Sequence, residues 1–137
     1  MIFVDSPYKP GTIAIARGEL ARYTDFDDSL DRLQVPRGSE IVRVKGSSVA
    51  RNRNKIVSEH FKTGDWLCFV DDDQVLPSDT LLKLLSHKQP IVGALYSTKH
   101  PPYISLALKL FKDHEYVPYL WREMQGLIKC VAAGTGC

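Results

Sequence analysis

Three consecutive acids, Asp71-Asp72-Asp73, directly follow the apolar run Trp66-Leu67-Cys68-Phe69-Val70. Carboxylates this close repel one another and need a compensating charge. A divalent cation is the usual one, and hard oxygen donors favour Mn²⁺ or Mg²⁺. If the extended backbone continued through the triplet, Asp71 and Asp73 would face one crevice and Asp72 the other side. Metal ligation is therefore assigned to Asp73 and Asp71. The competing reading is a solvated acidic loop that starts the following helix.

A basic segment precedes it. Ser47-Ser48-Val49-Ala50-Arg51-Asn52-Arg53-Asn54 follows a β-like stretch and opens a helix. Free amides at a helix start attract phosphate, and an arginine there adds bidentate donors that suit a diphosphate. Arg51 carries that expectation. It is equally suited to pairing with the acidic triplet and holding the sheet edge.

These groups need a frame. Thr12-Ile13-Ala14-Ile15-Ala16 after Pro10-Gly11 reads as a buried strand, and Ile41-Val42-Arg43-Val44 as a second. Between them Asp25 to Gln34 gives one or two helical turns before Pro36-Arg37-Gly38. Ser47 or Ser48 caps a helix that runs through Val49, Ile56, Val57 and Phe61 to Thr63-Gly64. Residues 65–70 form the strand that delivers the acids. Pro77-Ser78-Asp79 begins a helix with Leu81, Leu82, Leu84 and Leu85 on its apolar face. Pro90 to Tyr96 is expected as a fourth strand, with short strands in Tyr103 to Leu108 and Tyr116 to Leu120. Leu127 to Cys137 reads as a strand running into a glycine turn. Alternating strands and helices predict an α/β fold, a mostly parallel central sheet flanked by helices. Ligands of such sheets bind outside the carboxyl ends of the strands, where Asp71 to Asp73 fall.

Composition narrows the classes. At 137 residues the chain fits one domain with its own core. Eighteen Lys and Arg against sixteen Asp and Glu leave +2, too balanced for a nucleic-acid binder to be read from charge. Cys68, Cys130 and Cys137 contain no CxxC, and the four histidines show no ligand spacing, so zinc is not expected. Cys68 reads as a small buried hydrophobe. Three cysteines, odd in number and widely separated, suit a reducing, cytoplasmic compartment. No apolar run approaches the ~20 residues that a membrane span needs, and no signal peptide is visible at Met1-Ile2-Phe3-Val4-Asp5.

The ordered set of motifs resembles the family 2-like glycosyltransferases of the GT-A fold. It comprises Ala50-Arg51-Asn52, a helix, Trp66 to Asp73, then Leu76-Pro77 and a second helix. Ile91-Val92-Gly93-Ala94-Leu95-Tyr96-Ser97-Thr98-Lys99 and the closing Gly134-Thr135-Gly136-Cys137 belong to the likeness, which runs from about Thr12 to the end. The resemblance implies a Rossmann-like nucleotide-diphospho-sugar transferase. Its partners would be a nucleoside-diphosphate sugar, a UDP-sugar foremost, and a carbohydrate or other hydroxyl acceptor. In this likeness Asp71 is the first acid of the DxD motif and contacts the ribose or nucleotide. Asp73 is its last acid and holds the metal, with Asp72 auxiliary. Ala16 and Arg17 lie by the nucleotide, and Arg51 helps to fix the donor. Lys99 faces the phosphates or the acceptor, or is simply solvated. Reaction with inversion needs a carboxylate base, which the resemblance puts beyond Cys137. The chain is thus expected to cover residues 1–137 of a single nucleotide-sugar-binding domain without the acceptor-binding C-terminal part.

Two other readings share these residues. Val70-Asp71-Asp72-Asp73-Gln74-Val75 matches the nucleophile motif of haloacid-dehalogenase-like phosphatases, with Asp71 attacking phosphorus, Asp73 as acid and base, and Mg²⁺ assisting. That motif normally follows the first strand, whereas two strands precede it here, and the later acidic pair is missing. The third reading is a nucleotide-sugar-binding fragment without turnover.

Overall fold

The computed structural model describes residues 1–17, 23–46, 48–61, 64–98, 100–112 and 115–133, with only the backbone of His60. Lys99 and Gly134 to Cys137, singled out by the sequence, lie outside the described residues.

The centre is a parallel sheet of β2 (Thr12–Arg17), β4 (Glu40–Lys45) and β5 (Leu67–Val70), in the order β4-β2-β5. Register pairs Ile13 with Ile41 and Cys68, and Ile15 with Arg43 and Val70. A continuous apolar run such as Thr12 to Ala16 suits a strand covered on both faces, and all five of its residues are buried. Alternation then divides the core. Ile13, Ile15 and Val70 pack on one face with Phe26 and Leu30 of α1 (Thr24–Arg32), and with Leu81 of α3 (Thr80–Ser86). Ala14, Ala16 and Val44 pack on the other face with Ile56, at the end of α2 (Val49–Lys55). A single π-helical turn, Ile56–His60, continues α2. The α/β class and the parallel strands of the expected fold are present, in small sheets.

Two features escaped the sequence reading. Ile2–Val4 (β1) pairs in parallel with Gln34–Pro36 (β3), each only three residues long. A run that short has too few alternating positions to register as a strand. The buried Val35 of β3 belongs to the same core cluster as Leu81.

The expected strand over Pro90 to Tyr96 does not form. Ile91 is 93% exposed, and among the described residues the β-bridge beside this stretch joins Ser97 to Ser105. Strand-like composition cannot make a strand without a neighbour to take its backbone bonds. Locally, Thr98 N–H donates to Ile104 O at 3.0 Å and Leu106 N–H to Tyr96 O at 3.1 Å.

Downstream the expected short strands are shifted. β6 (Ala107–Lys112), β7 (Glu115–Pro118) and β8 (Ala132–Ala133) form an antiparallel sheet in the order β7-β6-β8. The strand expected from Leu127 is reduced to Ala132–Ala133. Lys109 Nζ lies 2.6 Å from Glu123 Oε1, and Leu120 N–H donates to Glu123 Oε2 at 2.9 Å. First the Lys109 bond and then the backbone bond hold the Glu123 carboxyl below its ordinary value. No helix among the described residues is long and apolar enough to cross a membrane.

Gly11 enters β2 beneath Trp66. A Cβ at Gly11 would come within 2.6 Å of Trp66 O and closer still to the indole ring. Trp66 has little freedom to retreat, because its Nε1–H donates to Lys9 O at 2.9 Å and its carbonyl accepts from Thr12 N–H at 3.0 Å. We expect Gly11→Ala to lower stability by about 1–3 kcal/mol through overpacking. Ile91→Ala should change it by no more than ~0.5 kcal/mol. Urea midpoints check both; a loss of ~2 kcal/mol or more in Ile91→Ala would mean that 90–96 is a buried strand after all.

Candidate functional site at the carboxyl edge of the parallel sheet

The carboxyl ends of β2, β4 and β5 bring together the chemistry that the sequence held apart. Arg17 ends β2 opposite Lys45, the last residue of β4, and Asp71 follows Val70 of β5. Ala16 is buried under the α2 side of the sheet, so it contributes backbone and packing at this edge rather than an exposed side chain.

Arg17 and Arg53 work on opposite faces. Arg17 follows the odd-numbered face of Ile13 and Ile15. Its Nη2 lies 2.5 Å from Asp27 Oδ1 of α1, and its guanidinium stands 5.9 Å from the Phe26 ring centroid. The Arg17 Nε–H is buried without a hydrogen-bond acceptor among the described residues. On the α2 face, Arg53 Nη2 donates to Asp71 Oδ1 at 2.6 Å and the guanidinium lies 5.7 Å from the Phe69 ring centroid. Charge-assisted bonds of this length in partly buried surroundings are among the stronger side-chain contacts.

The acids sit in a turn. β5 stops at Val70, and Gln74 N–H donates to Asp71 O at 3.3 Å, closing a turn whose corner is Asp72 and Asp73. The expectation that alternation would aim Asp71 and Asp73 into one crevice therefore loses its premise, since the strand does not continue. Asp at the first position of such a turn is a common choice, because its side chain can satisfy nearby backbone. All three acids are half-buried.

As arranged, the donors do not fit a divalent cation. Among the described residues no group of three or more His, Cys, Asp or Glu side chains could hold one. The acid closest to β5, Asp71, already has a guanidinium on its Oδ1.

The Arg51 side chain is exposed, and its backbone N–H donates to Ser48 Oγ at 3.4 Å. The arginine that reaches the acids is Arg53, two residues on. A helical step of two residues turns the side chain by roughly 200°, so the choice between them hangs on helix phase, which a run of alternating arginines does not reveal. Cys68 is half-buried rather than fully enclosed, and neither Cys68 nor Cys130 forms a disulfide among the described residues.

The sequence also understated Asn52. It is 5% exposed, and its Nδ2 donates to Arg17 O at 3.1 Å and Gly46 O at 3.2 Å. One amide thus ties α2 to the ends of β2 and β4. Gly46 permits the approach, since a Cβ there would lie 2.6 Å from Asn52 Oδ1. A polar residue set in a helix between two arginines, with a glycine six residues earlier, is the signal that pointed to it.

Removing the amide strands two carbonyls. Asn52→Ala should cost about 2 kcal/mol of stability, whereas Arg51→Ala should stay within ~0.5 kcal/mol of the parent. Chemical denaturation of the two variants side by side checks this. Equal losses would show that Asn52 does not brace the edge.

No family model, curated protein or solved structure matches this chain. The reading of the site therefore stands on its geometry and on the motif likeness alone.

Proposed function

We propose that this chain is the nucleotide-sugar-binding portion of a glycosyltransferase of the GT-A type, taking a nucleoside-diphosphate sugar as donor. The observation that carries the reading is the position of the Asp71 to Asp73 turn, at the carboxyl end of a buried parallel strand and beside Arg53. Strand order adds support. β2 lies between β4 and β5, so the chain passes from the central strand to one neighbour and then crosses to the other. Open parallel sheets bind nucleotides outside the carboxyl ends of such strands.

Within this reading the arginines serve the donor's anionic charge, Arg53 from the α2 face and Arg17 from the α1 face. A diphosphate suits planar guanidinium groups, which offer paired donors. By the resemblance Asp71 and Asp73 would meet the nucleotide and a cation, Mn²⁺ or Mg²⁺, although the described acids as arranged do not form a site for that ion. The acceptor hydroxyl, the attacking base and inversion at the sugar belong to the resemblance. Cys68 and Cys130, not joined in a disulfide among the described residues, fit a cytoplasmic setting.

A haloacid-dehalogenase-like phosphatase fits less well. Its nucleophile would be Asp71, one oxygen of which, Oδ1, already accepts from Arg53. β2 and β4 also precede the motif in the same sheet.

Asp73→Ala is expected to abolish nucleotide binding that depends on Mn²⁺. Asp79→Ala, which only removes the surface partner of Lys83, should leave it within about twofold, as for a surface ion pair. Calorimetric titration of UDP and GDP, with Mn²⁺ and with EDTA, reads both variants. Equal affinities in the two would remove the metal assignment, and binding without sugar transfer would leave a donor-binding module.

A further inference from the structure

Two cations end neighbouring strands on one face of the sheet, and one acid meets them. Arg17 closes β2 and Lys45 closes β4 as partners in the parallel register. Register partners in adjacent strands point to the same side, with backbones about 4.8 Å apart. That side is the α1 face, where Ile13 and its partner Ile41 both pack with Phe26 and Leu30. The backbone beneath the two cations is tied together. Arg17 O accepts from Gly46 N–H at 3.3 Å and from Asn52 Nδ2 at 3.1 Å.

Charge on this face is not balanced. Asp27 Oδ1 takes Arg17 Nη2, and the buried Arg17 Nε–H has no acceptor among the described residues. Lys45 is exposed and forms no ion pair among the described residues. The other acids of α1 do not reach it. Asp31 lies 3.8 Å from the Met1 amino group, and Asp25 and Asp28 are exposed with no ion pair among the described residues. A guanidinium and an ammonium that share one carboxylate leave a net positive charge at the carboxyl edge. A phosphate group, with oxygens fanned around one centre, can accept from both cations at once.

We propose that Arg17 and Lys45 form a phosphate subsite on the α1 face of this edge, with Lys45 supplying the uncompensated charge. Asp27 holds the Arg17 guanidinium in place, 5.9 Å from the Phe26 ring centroid. Because the strand ends are already joined, seating an anion between them costs little reorganisation. Assigning the phosphate to the diphosphate of a nucleotide sugar rests on the proposed function; the cation pair comes from strand register.

The test titrates inorganic pyrophosphate in EDTA, at constant ionic strength, and reads amide chemical shifts. The chains are the parent, Lys45→Ala, Lys45→Arg, Arg17→Gln and Lys112→Ala. The parent should bind, with shifts centred on Arg17, Lys45 and Gly46. Lys45→Ala should weaken binding about tenfold, the lower scale of a hydrogen bond to a charged group. Lys45→Arg keeps the charge and should stay within about threefold of the parent. Arg17→Gln should also bind more weakly; if circular dichroism shows that it does not fold, Lys45→Ala carries the comparison. Lys112→Ala removes a positive charge from β6 and should match the parent. No pyrophosphate binding in the parent, equal affinity in Lys45→Ala, or an equal loss in Lys112→Ala overturns the subsite. UDP titrated into the same chains separates the subsite from the function. UDP bound alike by the parent and Lys45→Ala defeats the subsite alone. Pyrophosphate bound in the expected pattern, with no binding of UDP, defeats the nucleotide donor alone.

Discussion

Thr12 to Ala16 of β2 are buried on both faces, and this enclosure decides where chemistry can happen. That stretch offers no further polar side chain, since Thr12 donates its hydroxyl to Glu40 Oε1 at 2.9 Å and the other four residues are apolar. It can present function only where it ends. Because β4 and β5 run parallel to β2, all three end at one edge, where the last strand residues Arg17 and Lys45 and the turn after β5 gather charged groups. Asn52 makes that edge definite by fixing the carbonyls of Arg17 and Gly46 to α2. The charged side chains beyond it are then held from a rigid base.

Electrostatics at the edge is organised by face. Arg17 is neutralised by Asp27 on the α1 side, and Arg53 is matched with Asp71 on the α2 side. Each guanidinium also leans on a phenylalanine ring, Phe26 or Phe69. The acids and bases of the candidate site therefore compensate one another in the free protein.

Much of this frame was legible in the residues. β2, β4, β5, α2 and α3 were expected because each shows a strong local signal: an unbroken apolar run, a serine cap, or leucines at helical spacing. β1 and β3 were not, since three-residue strands are defined by their partners rather than their composition. Pro90 to Tyr96 misled for the same reason in reverse, having strand chemistry but no neighbour. Within the site the acids were found by type, yet their arrangement was not. β5 ends at Val70, and the turn after it is closed by a backbone bond from Gln74 N–H to Asp71 O that residue type alone does not reveal. The choice of Arg53 over Arg51 depends likewise on helix phase, which tertiary packing of Asn52 sets.

The central claim is that the carboxyl edge of the parallel sheet binds a nucleoside diphosphate, and amide chemical-shift mapping tests it most directly. A chain of 15.4 kDa is well suited to the method. Titration of UDP in the presence of Mg²⁺ should perturb amides at Arg17, Lys45 to Gly46, Asn52 to Arg53 and Asp71 to Gln74, and leave β6 and β7 unmoved. Perturbations gathered instead around Tyr103, Phe111 and Trp121, or none at saturating UDP, would contradict the account.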